Sequence, residues 1–148
     1  MKPEIRIEGD RLEISRLFDA PQQMVFDAWK QADKIQQWWG CHSTSLVESD
    51  IDFRVGGHFR HKMQIEGCGE YEYAAVFDEI LEPERIAYTA QFPDHTERVT
   101  VQFHAQGEGT RLILTQVGFP DPKFCQIVSE GFTSAFEKLH RLLTVSRV

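Results

Sequence analysis

The chain lacks nearly everything that would tie it to a membrane, a nucleic acid or a metal. None of its apolar runs approaches the roughly 18–20 residues that a bilayer span requires. The opening Met1-Lys2-Pro3-Glu4 does not read as a signal peptide. Sixteen lysines and arginines face twenty-three aspartates and glutamates, a formal net charge of −7, and the basic residues form no cluster. Phosphate neutralisation needs concentrated positive charge, so nucleic acid and anionic membrane surfaces are not expected as partners. Cysteine is scarce: Cys41, Cys68 and Cys125 are an odd, scattered set. That argues against a disulfide framework and for reduced thiols in a cytoplasmic setting.

Metal-ligand spacing is missing too. Cys41-His42, His58, His61, Cys68 and His104 supply the right atoms, but there is no Cys-x-x-Cys, no His-Glu-x-x-His and no spaced carboxylate triad. His58 and His61 fall on opposite faces of a strand. Cys41, next to a helix end and an imidazole, could hold a low-pKa thiol, yet no base or orienting partner can be assigned to it. Gly67-Cys68-Gly69 and Gly107-Glu108-Gly109 sit between strands and lead into no helix, which argues against nucleotide binding. No cofactor is implied. Repeats, linkers and low-complexity segments are absent, and one domain spanning 1–148 is expected.

What is present is alternation, then a helix. Ile5 to Phe18 reads as extended, broken at Gly9-Asp10, with Leu12, Ile14 and Phe18 on one parity. Arg16 shares that parity and is expected at the rim. Asp19-Ala20-Pro21 opens a short helix carrying Met24, Val25, Ala28, Trp29 and Ala32, and Asp33 is expected to cap a second through Ile35 and Trp38, stopped by Gly40. Extended segments follow at Thr44–Phe53, Phe59–Ile65, Tyr71–Leu81, Ile86–Phe92, Val99–His104 and Leu112–Thr115, separated by turn residues. Asp121-Pro122 then starts a long amphipathic helix to about Ser146. Its apolar stripe is Phe124, Ile127, Val128, Phe132, Ala135, Phe136, Leu139, Leu142 and Leu143. Lys123, Gln126, Ser129, Glu130, Thr133, Glu137, Lys138 and Arg141 make up the opposite face. The order predicts an α+β protein whose antiparallel sheet has one face covered, with room for a cavity beneath the helix.

Several motifs, in this order, resemble a known family. Phe18-Asp19-Ala20-Pro21 with Val25, Trp29 and Trp38-Trp39-Gly40 comes first, followed by Val55-Gly56-Gly57-His58-Phe59. Then come Glu79-Ile80 with Pro83-Glu84-Arg85-Ile86 and Tyr88-Thr89, Gly109-Thr110-Arg111-Leu112 with Thr115-Gln116, and Gly131-Phe132. From about Ile14 to Leu143 the chain is similar to the activator-of-Hsp90-ATPase-like branch of the START/Bet v 1 (SRPBCC) superfamily. The resemblance implies a helix-grip fold, a seven-stranded antiparallel sheet wrapped around the C-terminal helix with a hydrophobic cavity between them. Members include carriers of hydrophobic ligands, aromatase/cyclases of polyketide pathways and a co-chaperone domain, so the fold alone does not select a function. Phe132 stands where the family usually has tryptophan, which keeps an aromatic wall and removes an indole N–H.

The candidate site follows from parity. His61 shares the inward parity of Phe59, Met63 and Ile65, and Tyr71 and Tyr73 alternate with Phe77 on the next strand. His61 is the weak catalytic candidate, set against the plainer role of a half-buried, hydrogen-bonded histidine. The ligand-binding set is Trp38, Trp39, Phe59, His61, Tyr73, Phe77, Tyr88, Phe103, Gln116, Gly131, Phe132 and Phe136. Of Trp38 and Trp39, one is expected to pack inward and the other to mark the cavity mouth. Gln116, a lone amide in an apolar wall, needs a ligand, a water or His61 as partner. Three functions remain open. The first is binding of a small hydrophobic or aromatic ligand. The second is a cyclase/dehydratase-like or hydrolase-like enzyme, which requires His61 in an enclosed pocket within reach of a phenol or carboxylate. The third is a chaperone-associated or other interaction module, favoured by an apolar convex patch or by an interior filled with side chains. A homodimer is compatible with all three.

Overall fold

Strand periodicity with short turns dictates a sheet, and the computed structural model describes it over residues 3–40, 44–66, 69–120 and 122–145. The elements are β1 (Glu4–Glu8), β2 (Arg11–Phe18), α1 (Gln22–Lys30), α2 (Ala32–Ile35), β3 (Thr44–Ile51), β4 (His58–Ile65), β5 (Gly69–Leu81), β6 (Arg85–Gln91), β7 (Thr96–Gln106), β8 (Gly109–Val117) and α3 (Pro122–Val145). All strands pair antiparallel in the order β1-β2-β8-β7-β6-β5-β4-β3. The sheet has eight strands, one more than the resemblance implies, because the chain reverses at Gly9, with φ of 59°, and folds Glu4–Phe18 as a hairpin. Register shifts at Leu46/Glu48 and Phe77/Glu79 add local twist, which helps the sheet curl around α3.

The helices differ from expectation in detail. Pro21 precedes the first turn of α1 with no side-chain cap, and Gln22 is tied instead to the Phe103 carbonyl at 2.7 Å. Asp33 lies within the first turn of α2 rather than capping it, and Gln31 takes the cap position. On α3 the inward line is Cys125, Ser129, Phe132, Ala135, Phe136, Leu139 and Leu143, while Ile127 is exposed. Ser129, expected outside, is buried, so the N-terminal half of the helix is rotated from the anticipated stripe. Asp121, Cys41, His42 and Cys68 lie outside the described residues.

Arg16 overturns the rim expectation. It is 4% exposed, on the inner face of β2, with its guanidinium carbon 5.2 Å from the Phe18 ring centroid. Its neighbour in register is Leu112 of β8, well inside the sheet, and α3 brings the charge of Glu137 towards it. Burial lowers the Arg16 pKa and Glu137 opposes the shift.

The core between sheet and helices is one continuous cluster. Under α1 and the C-terminal half of α3, Phe18, Phe26, Trp29, Trp38, Phe103 and Phe136 pack edge-on or tilted at centroid distances of 4.8–6.4 Å. Trp39, 6.3 Å from Phe132 and 4.7 Å from His61, joins these rings to polar side chains of the inner face.

Candidate functional site

The site is built from inward positions on adjacent strands. In register, His61 on β4 faces Tyr73 on β5, Phe77 on β5 faces Tyr88 on β6, and Val99 on β7 faces Gln116 on β8. Phe59 is the common wall, 4.9 Å from the His61 ring and 4.9 Å from the Tyr88 ring. Trp39 fills the space between this wall and α3. Its ring lies 4.7 Å from His61, 5.9 Å from Tyr73 and 6.3 Å from Phe132.

Both tryptophans are buried, Trp38 fully and Trp39 at 8% exposure, so neither marks an exposed mouth. The expectation assumed that one helix carried both. In fact α2 ends at Ile35, and the chain turns through residues 36–40, so helical spacing does not separate them. Trp38 donates its Nε1 hydrogen to the Ala28 carbonyl at 3.0 Å, which fixes it to α1. Trp39 instead covers the sheet, and Gly40 follows it at φ of 82°.

His61 is fully buried. Its Nδ1 lies 3.0 Å from the Ser49 hydroxyl, and its Nε2 has no protein partner. Burial pushes its pKa down to about 4, so the ring is neutral at pH 7. It faces a void of about 10 Å³ shared with Trp29, Trp39, Phe59, Tyr88 and Ile86, room for about one water. Tyr88 Oη is also buried without a protein partner. Burial raises the Tyr73 and Tyr88 pKa values, and the nearby charge of Glu97 adds to both shifts.

Gln116 has a partner that sequence reasoning missed. Its Nε2 donates to Glu97 Oε1 at 2.7 Å. Glu97 is 3% exposed on the inner face of β7. Its Oε2 lies 2.7 Å from His95 Nε2, whose other ring nitrogen is 2.7 Å from Asp94 Oδ1, and the His95 ring stacks on Phe92 at 4.7 Å. The Glu97 bond, then the Asp94 bond, raises the pKa of His95, and the His95 bond lowers that of Asp94. Glu97 shares the parity of Val99, Val101 and Phe103, but a strand beginning at Val99 excluded it. The structure starts β7 at Thr96.

Other expected site residues fall elsewhere. Phe103 packs against Phe26, and Phe136 packs against Phe18 and also lies 5.5 Å from Phe132. Gly131 lies on a flank of α3 where an added Cβ meets no described residue within 4 Å. Among the described residues no three histidine, cysteine or carboxylate side chains are grouped as metal ligands. No helix among them is long and apolar enough to cross a membrane.

A single helix gripped by a curved antiparallel sheet, preceded by two short helices, has known counterparts. The profile of the activator of Hsp90 ATPase homolog 1-like protein family matches residues 19–144. The chain belongs to that family. Solved structures agree in fold. A Nitrosomonas europaea protein superposes with a TM-score of 0.82 at 18% identity, over 93% of this chain and 96% of its own. A Mycobacterium smegmatis protein gives 0.78 at 20%, over 99% and 98%. An AHSA1-like protein from Aeromonas hydrophila gives 0.75 at 22%, over 90% and 93%. No curated protein sequence matches the chain.

Proposed function

We propose that the protein binds a small hydrophobic or aromatic molecule between the sheet and the N-terminal half of α3, in the space that Trp39 fills. One observation carries this reading. Around Trp39, His61 Nε2 and Tyr88 Oη are buried polar atoms without partners among the described residues, and both residues line a small void. Such atoms are costly inside a protein unless something meets them. A pocket of only 10 Å³ admits no ligand as it stands. Binding therefore requires the Trp39 ring to swing out, with Gly40 behind it at a φ that favours glycine. The neutral state of His61 and its hydroxyl partner Ser49 favour recognition over proton transfer, since no carboxylate or phenol among the described residues is hydrogen-bonded to the ring.

The test is titration with N-phenyl-1-naphthylamine, a neutral aromatic probe that fluoresces when desolvated. Saturable enhancement is expected with the wild type. Trp39→Ala should bind roughly tenfold tighter, because no ring has to be displaced before the ligand enters. No saturable enhancement in either protein would contradict the proposal.

The filled interior favours a second reading, an interaction module. The outer face of β4–β6 carries an open groove beside Arg60, Ala74 and Val76, the last 46% exposed. Val76→Glu separates the two: it would abolish an interaction there and leave probe binding unchanged.

A further inference from the structure

The inner face carries a band of polar side chains across five neighbouring strands: His61 on β4, Tyr73 on β5, Tyr88 on β6, Glu97 on β7 and Gln116 on β8. Ala75 and Ala90, small and buried, occupy inward positions of β5 and β6 between them. We infer that this band reads the polar end of the ligand. It selects a hydroxyl or amino group on an apolar or aromatic body, held against Tyr88, Glu97 and Gln116, and excludes carboxylates. The inference rests on the ligand-binding reading above and deepens it.

Donors and acceptors decide the class. Glu97 only accepts, and both its oxygens are engaged, one by Gln116 Nε2 and one by His95 Nε2. The amide nitrogen of Gln116 must therefore face Glu97, which turns its Oε1 away. That oxygen is buried and has no protein partner. Tyr88 Oη is likewise buried and unpartnered. A ligand hydroxyl meets both needs, donating to Gln116 Oε1 and accepting from Tyr88. A ligand carboxylate offers only acceptors and would sit beside the Glu97 charge, whose influence already raises the pKa values of the Tyr73 and Tyr88 phenols. Burying a carboxylate without structural need is unfavourable. Here the Asp94–His95–Glu97–Gln116 chain, running from an exposed aspartate into the interior, holds one in place.

The test compares three naphthalenes of similar size by calorimetry: 2-naphthol, 2-methylnaphthalene and 2-naphthoate. The expected order is 2-naphthol about tenfold tighter than the hydrocarbon, with 2-naphthoate weakest. Tyr88→Phe keeps the ring volume and should erase most of the naphthol advantage while hydrocarbon binding persists. Glu97→Gln should raise 2-naphthoate affinity by about tenfold. Equal binding of naphthol and hydrocarbon, or a Tyr88→Phe variant that still prefers naphthol, overturns the inference and leaves the ligand site standing. Failure of every probe to bind overturns the ligand reading and the inference with it.

Discussion

His61 makes the clearest residue-scale prediction. Burial holds its pKa at about 4 in the folded protein, against an ordinary 6.5. Between those values the unfolded chain binds the proton and the folded protein does not. The stability contribution is therefore complete above pH 6.5, declines as pH falls, and is exhausted near pH 4. Compared with His61→Gln, which cannot titrate, the wild type should lose on the order of 3 kcal/mol more stability between pH 7 and pH 4. Urea denaturation at both pH values measures it, and parallel losses would show that the imidazole is solvated. The two tryptophans should separate by role. Trp38→Phe loses the bond to the Ala28 carbonyl and should cost about 1–3 kcal/mol, whereas Trp39→Ala removes packing and should cost about 3–5 kcal/mol in thermal denaturation. At this scale the sequence was only partly legible. Parity placed His61, Tyr73, Phe77 and Tyr88 on the inner face. It could not place Arg16 or Glu97, because a charge on an inward position usually marks a strand end, and here a ring and a histidine respectively accompany each charge inside.

Elements were legible wherever backbone chemistry is local. Turn residues and alternation marked the hairpins, and Pro122 marked the start of α3. The rotation of α3 was not legible, since Ile127 and Ser129 exchange their expected environments only through contact with the sheet. Nor was the length of α2, whose two following tryptophans are packed by the turn rather than by the helix. Two glycines test these elements. Gly118 sits at φ of 99°, and a Cβ there would clash with the Thr96 carbonyl oxygen. Gly118→Ala should destabilise by about 2 kcal/mol or more, disturbing the backbone next to Glu97. Gly131, with open space beside it, should behave oppositely: Gly131→Ala should stabilise α3 by about 0.5–1 kcal/mol. Melting temperatures that moved together would contradict this contrast.

For the whole molecule, the ordered series of weak motifs conveyed the helix-grip architecture that no single motif could. What it could not convey was how full the interior is. Core aromatics and pocket aromatics look alike in one dimension, and only the fold shows that Phe103 and Phe136 pack against Phe26 and Phe18 while Phe59, Tyr73 and Phe132 surround Trp39. The proposed ligand site lies where buried polar side chains meet the aromatic core around Trp39. Its most direct test is a backbone amide NMR titration of the wild type with N-phenyl-1-naphthylamine. Shifts concentrated at Trp39, His61, Tyr73, Tyr88, Glu97 and Phe132, with residues around Phe18 and Phe26 unmoved, are the expected result. Shifts confined to the outer face around Arg60, Ala74 and Val76, or spread evenly over the chain, would contradict a ligand site between sheet and helix.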